Sequence, residues 1–352
     1  MQEISVTEGL NSAFDALIGN RLSVLIGAGL SMAPPSNLPS AANLSASAKQ
    51  RHEAIYGLTE PPFPNTVEAQ AEYFFARGQL DSIYFSKLID PHAFSSPPNE
   101  GHFAVADFLL IKTIQTAITT NVDTLIENAG EHLFGSIGAA LDGHGAAMLP
   151  ASASPLLKVH GCRLQDRPNM VWAPSQLQAP PVSTRIENSA TWLAQNLLNR
   201  DLLIVGYWTD WSYLNEVLDR TLGAVSPANV LVVDTAESNT FSTKAPNLYA
   251  LGQRATLSFR HVKTSGATFL DDLRRKFSQS FIRQVLHAGL TEFNQLRGTP
   301  TNPTWTEPGI TDNRTLWQIR RDLEGRLPNE PAKDKEPPIG ETTLGLTLID
   351  LQ

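Results

Sequence analysis

Apolar residues recur along this chain in two rhythms. Leu10, Phe14, Leu17 and Ile18 fall at helical spacing behind Ser5-x-x-Glu8, a capping-box pattern, and Gly19 follows as a stop, so a helix is expected before residue 20. Arg21-Leu-Ser-Val-Leu-Ile26 is instead a continuous apolar run that enters Gly27-Ala-Gly29, the pattern of a buried strand ending in a tight turn. A polar connection rich in Pro, Ala and Ser spans residues 34–64. Helical spacing then returns in Val67–Phe75, Ile83–Ile89 and Phe103–Ile111, which together predict a helical insertion over about residues 34–112.

Beyond it the short apolar runs Thr116–Thr120, Leu156–His160, Asp201–Val205 and Asn229–Asp234 alternate with helical stretches at Thr124–His132, Arg185–Leu198 and Tyr213–Leu222. Strands alternating with helices predict an α/β protein, a Rossmann-like doubly wound parallel sheet. Thr268–Leu296 reads as one or two more helices, and no internal repeat of fixed period is present. After Gly298 the chain becomes rich in Pro, Thr and charge, apart from a helical stretch at Leu316–Leu327. The expected organisation is one core domain over residues 1–298, followed by a C-terminal extension over 299–352 that combines a Pro-rich linker with a docking tail. Its end, Thr342–Leu351, alternates polar and apolar residues and suits strand addition to a partner or packing on its own core.

Composition narrows the function classes. With 352 residues, 41% of them hydrophobic and 18% charged, the chain can bury a core without covalent staples. Its 27 Lys and Arg against 35 Asp and Glu give a net charge of -8, the wrong sign for neutralising nucleic-acid phosphates. Cys162 is the only cysteine, so neither an intrachain disulfide nor a cysteine-rich zinc site can form, and a reducing compartment is implied. The first residues lack a basic segment followed by an apolar one, and no apolar run is long enough to span a bilayer. A cytoplasmic protein with no membrane or direct nucleic-acid partner is expected.

Three polar clusters follow apolar strands. Gly27-Ala28-Gly29-Leu30-Ser31 is a phosphate-loop candidate, although Met32 stands where a full dinucleotide fingerprint has Gly or Ala, and only Glu53 offers the later acidic residue. The alternative is a tight strand-to-helix turn without a ligand. Thr119-Thr120-Asn121-Val122-Asp123 places an amide and a carboxylate at the carboxyl edge of the sheet, where open α/β folds bind ligands; helix capping is the competing role. Lys158-Val159-His160-Gly161 delivers an imidazole into a Gly turn, where a core histidine is the alternative. His144, in a Gly- and Ala-rich loop, is a second His-Gly pair, but no apolar strand precedes it to fix its position. Trp208 and Trp211 flank Asp210 and suit packing, base stacking or a gate.

In this order and spacing, Gly-Ala-Gly-x-Ser, Thr-x-Asn-x-Asp-x-Leu and His-Gly resemble the sirtuin-like (silent information regulator) family over about residues 10–280. The segments Asp201–Asp210 and Val230–Asp234 extend the likeness. The resemblance implies that Gly27, Ala28, Gly29 and Ser31 cradle the NAD pyrophosphate and that Asn121 and Asp123 hold the nicotinamide ribose and carboxamide. It likewise implies that His160 is the general base and that Thr120, Gly206, Asp210 and Asp234 complete the cofactor site, with no metal. An imidazole of ordinary pKa, near 6.5, suits such a base at neutral pH.

The departures matter too. One cysteine cannot supply the four-Cys zinc ribbon of the family's protein deacylases, and Ser36-Asn-Leu-Pro-Ser40 replaces their Gly-Ile-Pro-Asp-Phe-Arg. The long interval from Asn121 to His160 resembles the sirtuin-like effectors of bacterial anti-phage systems, which hydrolyse NAD to nicotinamide and ADP-ribose. That branch implies NAD as substrate, an oligomeric state, and a separate activating partner: an Argonaute-type protein, a translocase-type ATPase or a nucleotide-processing enzyme. A silent NAD- or ADP-ribose-binding module and a sirtuin-type ADP-ribosyltransferase or deacylase are the alternatives.

Overall fold

The computed structural model describes residues 1–151, 153–206, 212–298 and 313–324. By its contacts the chain divides into a first unit, Met1–Leu270, and a second beginning at Asp271.

A two-residue strand, β1 (Gln2–Glu3), precedes α1 (Val6–Ile18), which starts at the expected capping box: Glu8 N–H donates to Ser5 Oγ, and Ser5 N–H donates back to the Glu8 carboxylate. The strand β2 (Leu22–Ile26) follows, buried at every position, and then the short helix α2 (Ala28–Met32). The connection expected over residues 34–64 contains instead the helix α3 (Ala41–Tyr56). Its Ala- and Ser-rich sequence carries no apolar stripe, which hid it. Next come α4 (Val67–Phe75), a π-helical stretch at Leu80–Leu88, and α5 (Glu100–Leu110).

The remaining elements of the first unit alternate: β3 (Thr116–Thr119), α6 (Leu125–His132), β4 (Gly138–Ala140), α7 (Gly143–Ala147), β5 (Pro155–Lys158), α8 (Val182–Asn196), β6 (Asp201–Val205), α9 (Ser212–Leu222), β7 (Asn229–Asp234), α10 (Phe241–Lys244), α11 (Pro246–Gln253) and β8 (Ser258–Lys263). Among the described residues eight strands form one parallel sheet, in the order β1-β8-β7-β6-β2-β3-β5-β4. This is the expected parallel α/β sheet. It also holds β1, β4 and β8, which the apolar pattern did not announce.

Alternate residues of each strand serve opposite faces. On one face Leu25, Ile118, Leu157, Leu202, Ile204, Val230 and Val232 form a core with Ile186 and Leu193 of α8, Val217 and Leu218 of α9, and Leu248 and Leu251 of α11. On the other, Ala13 and Ala16 of α1 border Leu203 and Leu231. Each fully buried aliphatic side chain contributes about 1.5–3 kcal/mol, so the central strands dominate the stability of this unit.

The helical insertion has its own core. Ala48, Phe63, Phe74, Tyr84 and Leu88 pack with Trp172 and with Val122, the residue between Asn121 and Asp123. The α5 helix belongs elsewhere, against β3 and α6. The insertion therefore bears directly on one loop at the carboxyl edge of the sheet.

The helix α12 (Gly266–Arg297) is continuous across the stretch read as one or two helices, and α13 (Asn313–Leu323) overlaps the described part of the stretch expected at Leu316–Leu327. Within the second unit Ile282, Leu286, Leu316 and Ile319 form a small cluster, and the Arg274 guanidinium lies 3.9 Å from the Trp317 ring centroid. The proposed docking strand at Thr342–Leu351 lies outside the described residues, as does the Pro-rich stretch after Gly298. Among the described residues no helix is long and apolar enough to cross a membrane.

Candidate active site

The chain reverses its direction across the sheet at β2, which pairs with β6 on one side and β3 on the other. Ligands bind outside the carboxyl ends of strands at such a switch point. Register places Ile26 beside Thr119 and Val205, and Thr119 beside Lys158, so Gly27, Thr120, Val159 and Gly206 all lie one residue beyond their strands at one edge.

Two glycines there are fixed by packing. Gly29 N–H donates to Gly206 O at 2.8 Å, and a Cβ on Gly29 would sit 2.7 Å from that same oxygen. Gly206 has φ +62, and a Cβ on it would sit 2.5 Å from Leu30 N. The Gly29 N–H is thus committed to Gly206, and its expected part in cradling a pyrophosphate does not extend to that donor. Gly206→Ala is expected to cost about 2 kcal/mol or more, since left-handed backbone strain and a main-chain clash act together. A thermal melt matching wild type would count against this close contact.

Ser31, the last buried residue of α2, is the centre of a polar network. Asn121 Nδ2 donates to Ser31 Oγ at 3.0 Å and to Gly27 O at 3.3 Å. Ser31 Oγ donates to Asp123 Oδ2 at 2.9 Å, and Asp123 Oδ1 accepts from Leu125 N–H at 3.1 Å. Asn121 Oδ1, shielded from solvent, has no hydrogen-bond partner among the described residues. Hydrogen bonds therefore join Ser31 to two expected site residues on a loop distant from it in sequence.

The loop that carries them is pinned from below. Thr120 N–H and Thr119 Oγ1 both donate to Ile26 O, at 3.1 and 3.2 Å, and Asn121 N–H donates to Thr119 Oγ1 at 3.0 Å. Lys158, only 1% exposed, donates through Nζ to Asp123 O and pairs with Glu127 Oε1 at 2.6 Å. Lys158 stood in the sequence motif without an assigned role. A buried ammonium needs such partners, and this one holds the main chain at Asp123.

His160 follows β5 directly and is 4% exposed. Burial pushes its imidazole down to about 3, opposed by a hydrogen bond to the Thr120 main chain. The ordinary pKa expected of a general base is thereby corrected: the ring is neutral and only weakly basic. By contrast His144 is exposed on α7, whose N-terminus Asp142 caps by accepting from Gly145 N–H at 2.7 Å.

Ala28 is exposed beside this network, while Asp234 ends β7, two strands from β2. Burial raises the Asp234 carboxyl, and its Oδ1 accepts from Ala236 N–H at 2.9 Å, closing its own turn. Asp210, Trp208 and Trp211 lie outside the described residues. Among the described residues no cluster of three or more His, Cys, Asp or Glu is arranged to hold a metal.

Two contributors escaped the sequence reading. His102 of α5 places Nε2 3.1 Å from Ser31 Oγ, and Asn99 Nδ2 donates to Leu30 O at 2.7 Å and to Ala33 O at 3.2 Å. Burial holds His102 down at about 4, with the Asp123 charge opposing. The available signal was Asn99-x-x-His102, a cap and a side chain three residues on that reaches back to it.

A family model described as a SIR2-like domain matches residues 115–250, the stretch that carries Asn121, Asp123, His160, Gly206 and Asp234. No curated protein matches the chain. Solved structures similar to it include a SIR2 in complex with the inhibitor EX-527, 2'-O-acetyl-ADP-ribose and a deacetylated p53 peptide, 13% identical over 76% of this chain and 98% of that one, with a TM-score of 0.44. A SIR2 homologue–NAD complex is 16% identical over 76% and 93% of the two chains, with a TM-score of 0.41. Over residues 115–250 the chain is thus similar to the SIR2-like domain family.

Proposed function

We propose that the site binds NAD and that the chain hydrolyses the nicotinamide N-glycosidic bond. The observation that carries this reading is the network of Ser31, Asn121 and Asp123 at the switch point of a SIR2-like domain, with Asn121 Oδ1 open as an acceptor. A ribose hydroxyl, a carboxamide N–H or the attacking water each offers the donor that this oxygen lacks. Cleavage passes through an oxocarbenium-like state, which the nearby Asp123 carboxylate stabilises electrostatically. Water adds to the ribose carbon as the bond to nicotinamide breaks, giving nicotinamide, ADP-ribose and a proton. His160, neutral and held to the Thr120 main chain, orients groups in the site and accepts a hydrogen bond better than it removes a proton.

Unchecked hydrolysis of NAD would deplete the host cell, so this reading includes control by a separate partner, as in anti-phage effectors. The second reading, a silent NAD- or ADP-ribose-binding module, is favoured by one specific observation, the weak basicity of His160. A proton NMR time course of NAD with the protein separates them. Free nicotinamide with ADP-ribose supports hydrolysis, and binding without turnover in the presence of the activating partner supports the module. Label from NAD retained on protein or on an acyl group would indicate a transferase or deacylase.

The buried histidines set a pH dependence. Their folded pKa values, about 3 for His160 and about 4 for His102, lie below the unfolded value near 6.5, so the stability they confer is fully present above about 6.5. It is lost as pH falls from there through 4 and 3. The urea midpoint is expected to fall on acidification below about pH 6.5, while kcat/KM shows no acid limb from His160 between pH 8 and 5. An acid limb centred near 6.5 that disappears in His160→Asn would show that the ring is not desolvated.

A further inference from the structure

We propose that Gln176 is a positioning residue: its side chain locks the segment Met170–Ala173 over His160 and so holds His160 and the Asn121–Asp123 loop in fixed register with the helical insertion. The consequence for ligand binding rests on the NAD reading; the lock itself does not.

Met170–Ala173 runs between β5 and α8 outside any helix or strand, yet all four residues are buried. Main-chain groups buried there need partners that no regular ladder supplies. Gln176, itself 2% exposed, provides for three of them. Trp172 N–H and Ala173 N–H both donate to its Oε1 at 2.8 Å, and its Nε2 donates to Met170 O at 2.9 Å. Turning the amide over would set donor against donors and acceptor against acceptor, so a single orientation is selected.

The segment held in this way is a seam between two cores. Val171 N–H donates to His160 O at 3.0 Å. Gly161, with φ +85, lets the main chain of Met170 pass so close that a Cβ on Gly161 would sit 3.3 Å from Met170 Cα. Side chains then alternate as along an extended strand: Val171 enters the core that holds Val159, whereas Met170 and Trp172 enter the insertion core beside Val122. The Trp172 ring meets Tyr84 and Phe85 edge-on, with centroids 6.1 and 5.2 Å away. Arg163 N–H donates to Val122 O at 3.0 Å, which ties the chain just after His160 to the Asn121–Asp123 loop. Contacts thus run in a ring from His160 through the seam and the insertion core to Val122 and back, and Gln176 closes it. Close-packed side chains transmit displacement, so freeing the seam loosens both site loops.

The test uses the full chain. Gln176→Met keeps the size of the side chain and removes all three hydrogen bonds, while Gln176→Glu keeps the acceptor and loses the donor. Hydrogen exchange read by mass spectrometry at pH 7 is expected to accelerate about tenfold in Gln176→Met over residues 170–173, 159–163 and 120–125, and less in Gln176→Glu, with β2 and β6 as protected as in wild type. Acceleration confined to residues 170–173 would mean that Gln176 shapes only its own loop, and the proposal falls. If Gln176→Met also exposes β2 and β6, the same pattern is read in Gln176→Glu and decides. Calorimetric titration with NAD tests the consequence: binding is expected to weaken about tenfold in Gln176→Met and by less in Gln176→Glu. Wild-type affinity in a variant whose residues 120–125 exchange faster would overturn the link to binding. If wild type does not bind NAD, the NAD reading fails, while the exchange pattern still decides the lock.

Discussion

Asn121→Ala is expected to lower nicotinamide release from NAD by roughly two to three orders of magnitude, the range seen when one preorganised polar group is removed from a transition-state site. The substitution deletes Oδ1, the buried acceptor without a donor, and both amide donors, so Ser31 and Gly27 O each lose a partner. The fold should survive, because Thr119 and Thr120 pin the loop through Ile26 O and Lys158 through Asp123 O, none of which involves the Asn121 side chain. Activity is compared under whatever condition turns wild type over, with the partner present if one is required. A variant that keeps a tenth or more of wild-type activity would remove Asn121 from the reaction. A melting temperature that collapses would instead make the residue structural.

The largest effect on stability is expected at Lys158. Lys158→Met deletes a buried ammonium that pairs with Glu127 and holds Asp123 O, leaving a half-desolvated carboxylate and a carbonyl without their donor. Breaking a buried ion pair from one side costs about 3–5 kcal/mol. Removing both charges, in Lys158→Met with Glu127→Leu, should recover part of that loss. Urea unfolding of the single and double variants measures it, and a single variant within about 1 kcal/mol of wild type would show that the pair contributes little. Because the lost contact supports Asp123, cleavage should fall as well, and should recover less than stability does in the double variant.

What the sequence disclosed follows from burial. In Leu22–Ile26 and Asp201–Val205 every residue is buried, and a strand covered on both faces reads as an uninterrupted apolar run. The strand Ser258–Lys263 is buried only in part and mixes Ser, Arg, His and Lys, while Gly138–Ala140 offers nothing larger than a methyl group, so neither left such a trace. The order of Gly-Ala-Gly-x-Ser, Asn-x-Asp and His-Gly pointed to the candidate site because each motif follows a strand at the same edge. His102 stayed hidden because its partner is Ser31, far away in sequence, and local spacing could show only its bond to Asn99. The environment of His160 was equally out of reach: a motif names an imidazole, and only tertiary packing takes the water away from it.

The strand order has a consequence in time. Because Ser23 pairs with Thr116 on one side and Leu202 on the other, no neighbouring stretch of chain can complete the sheet around β2. Parallel pairings of this range form slowly, after long loops have closed. A ribosome must release β6 and Gly206 before Gly29 and Leu30 have the peptide they rest on. A nascent or truncated chain that ends short of residue 201 therefore has the motifs but not the site, and a cell making this protein meets the assembled site only after most of the first unit has been synthesised.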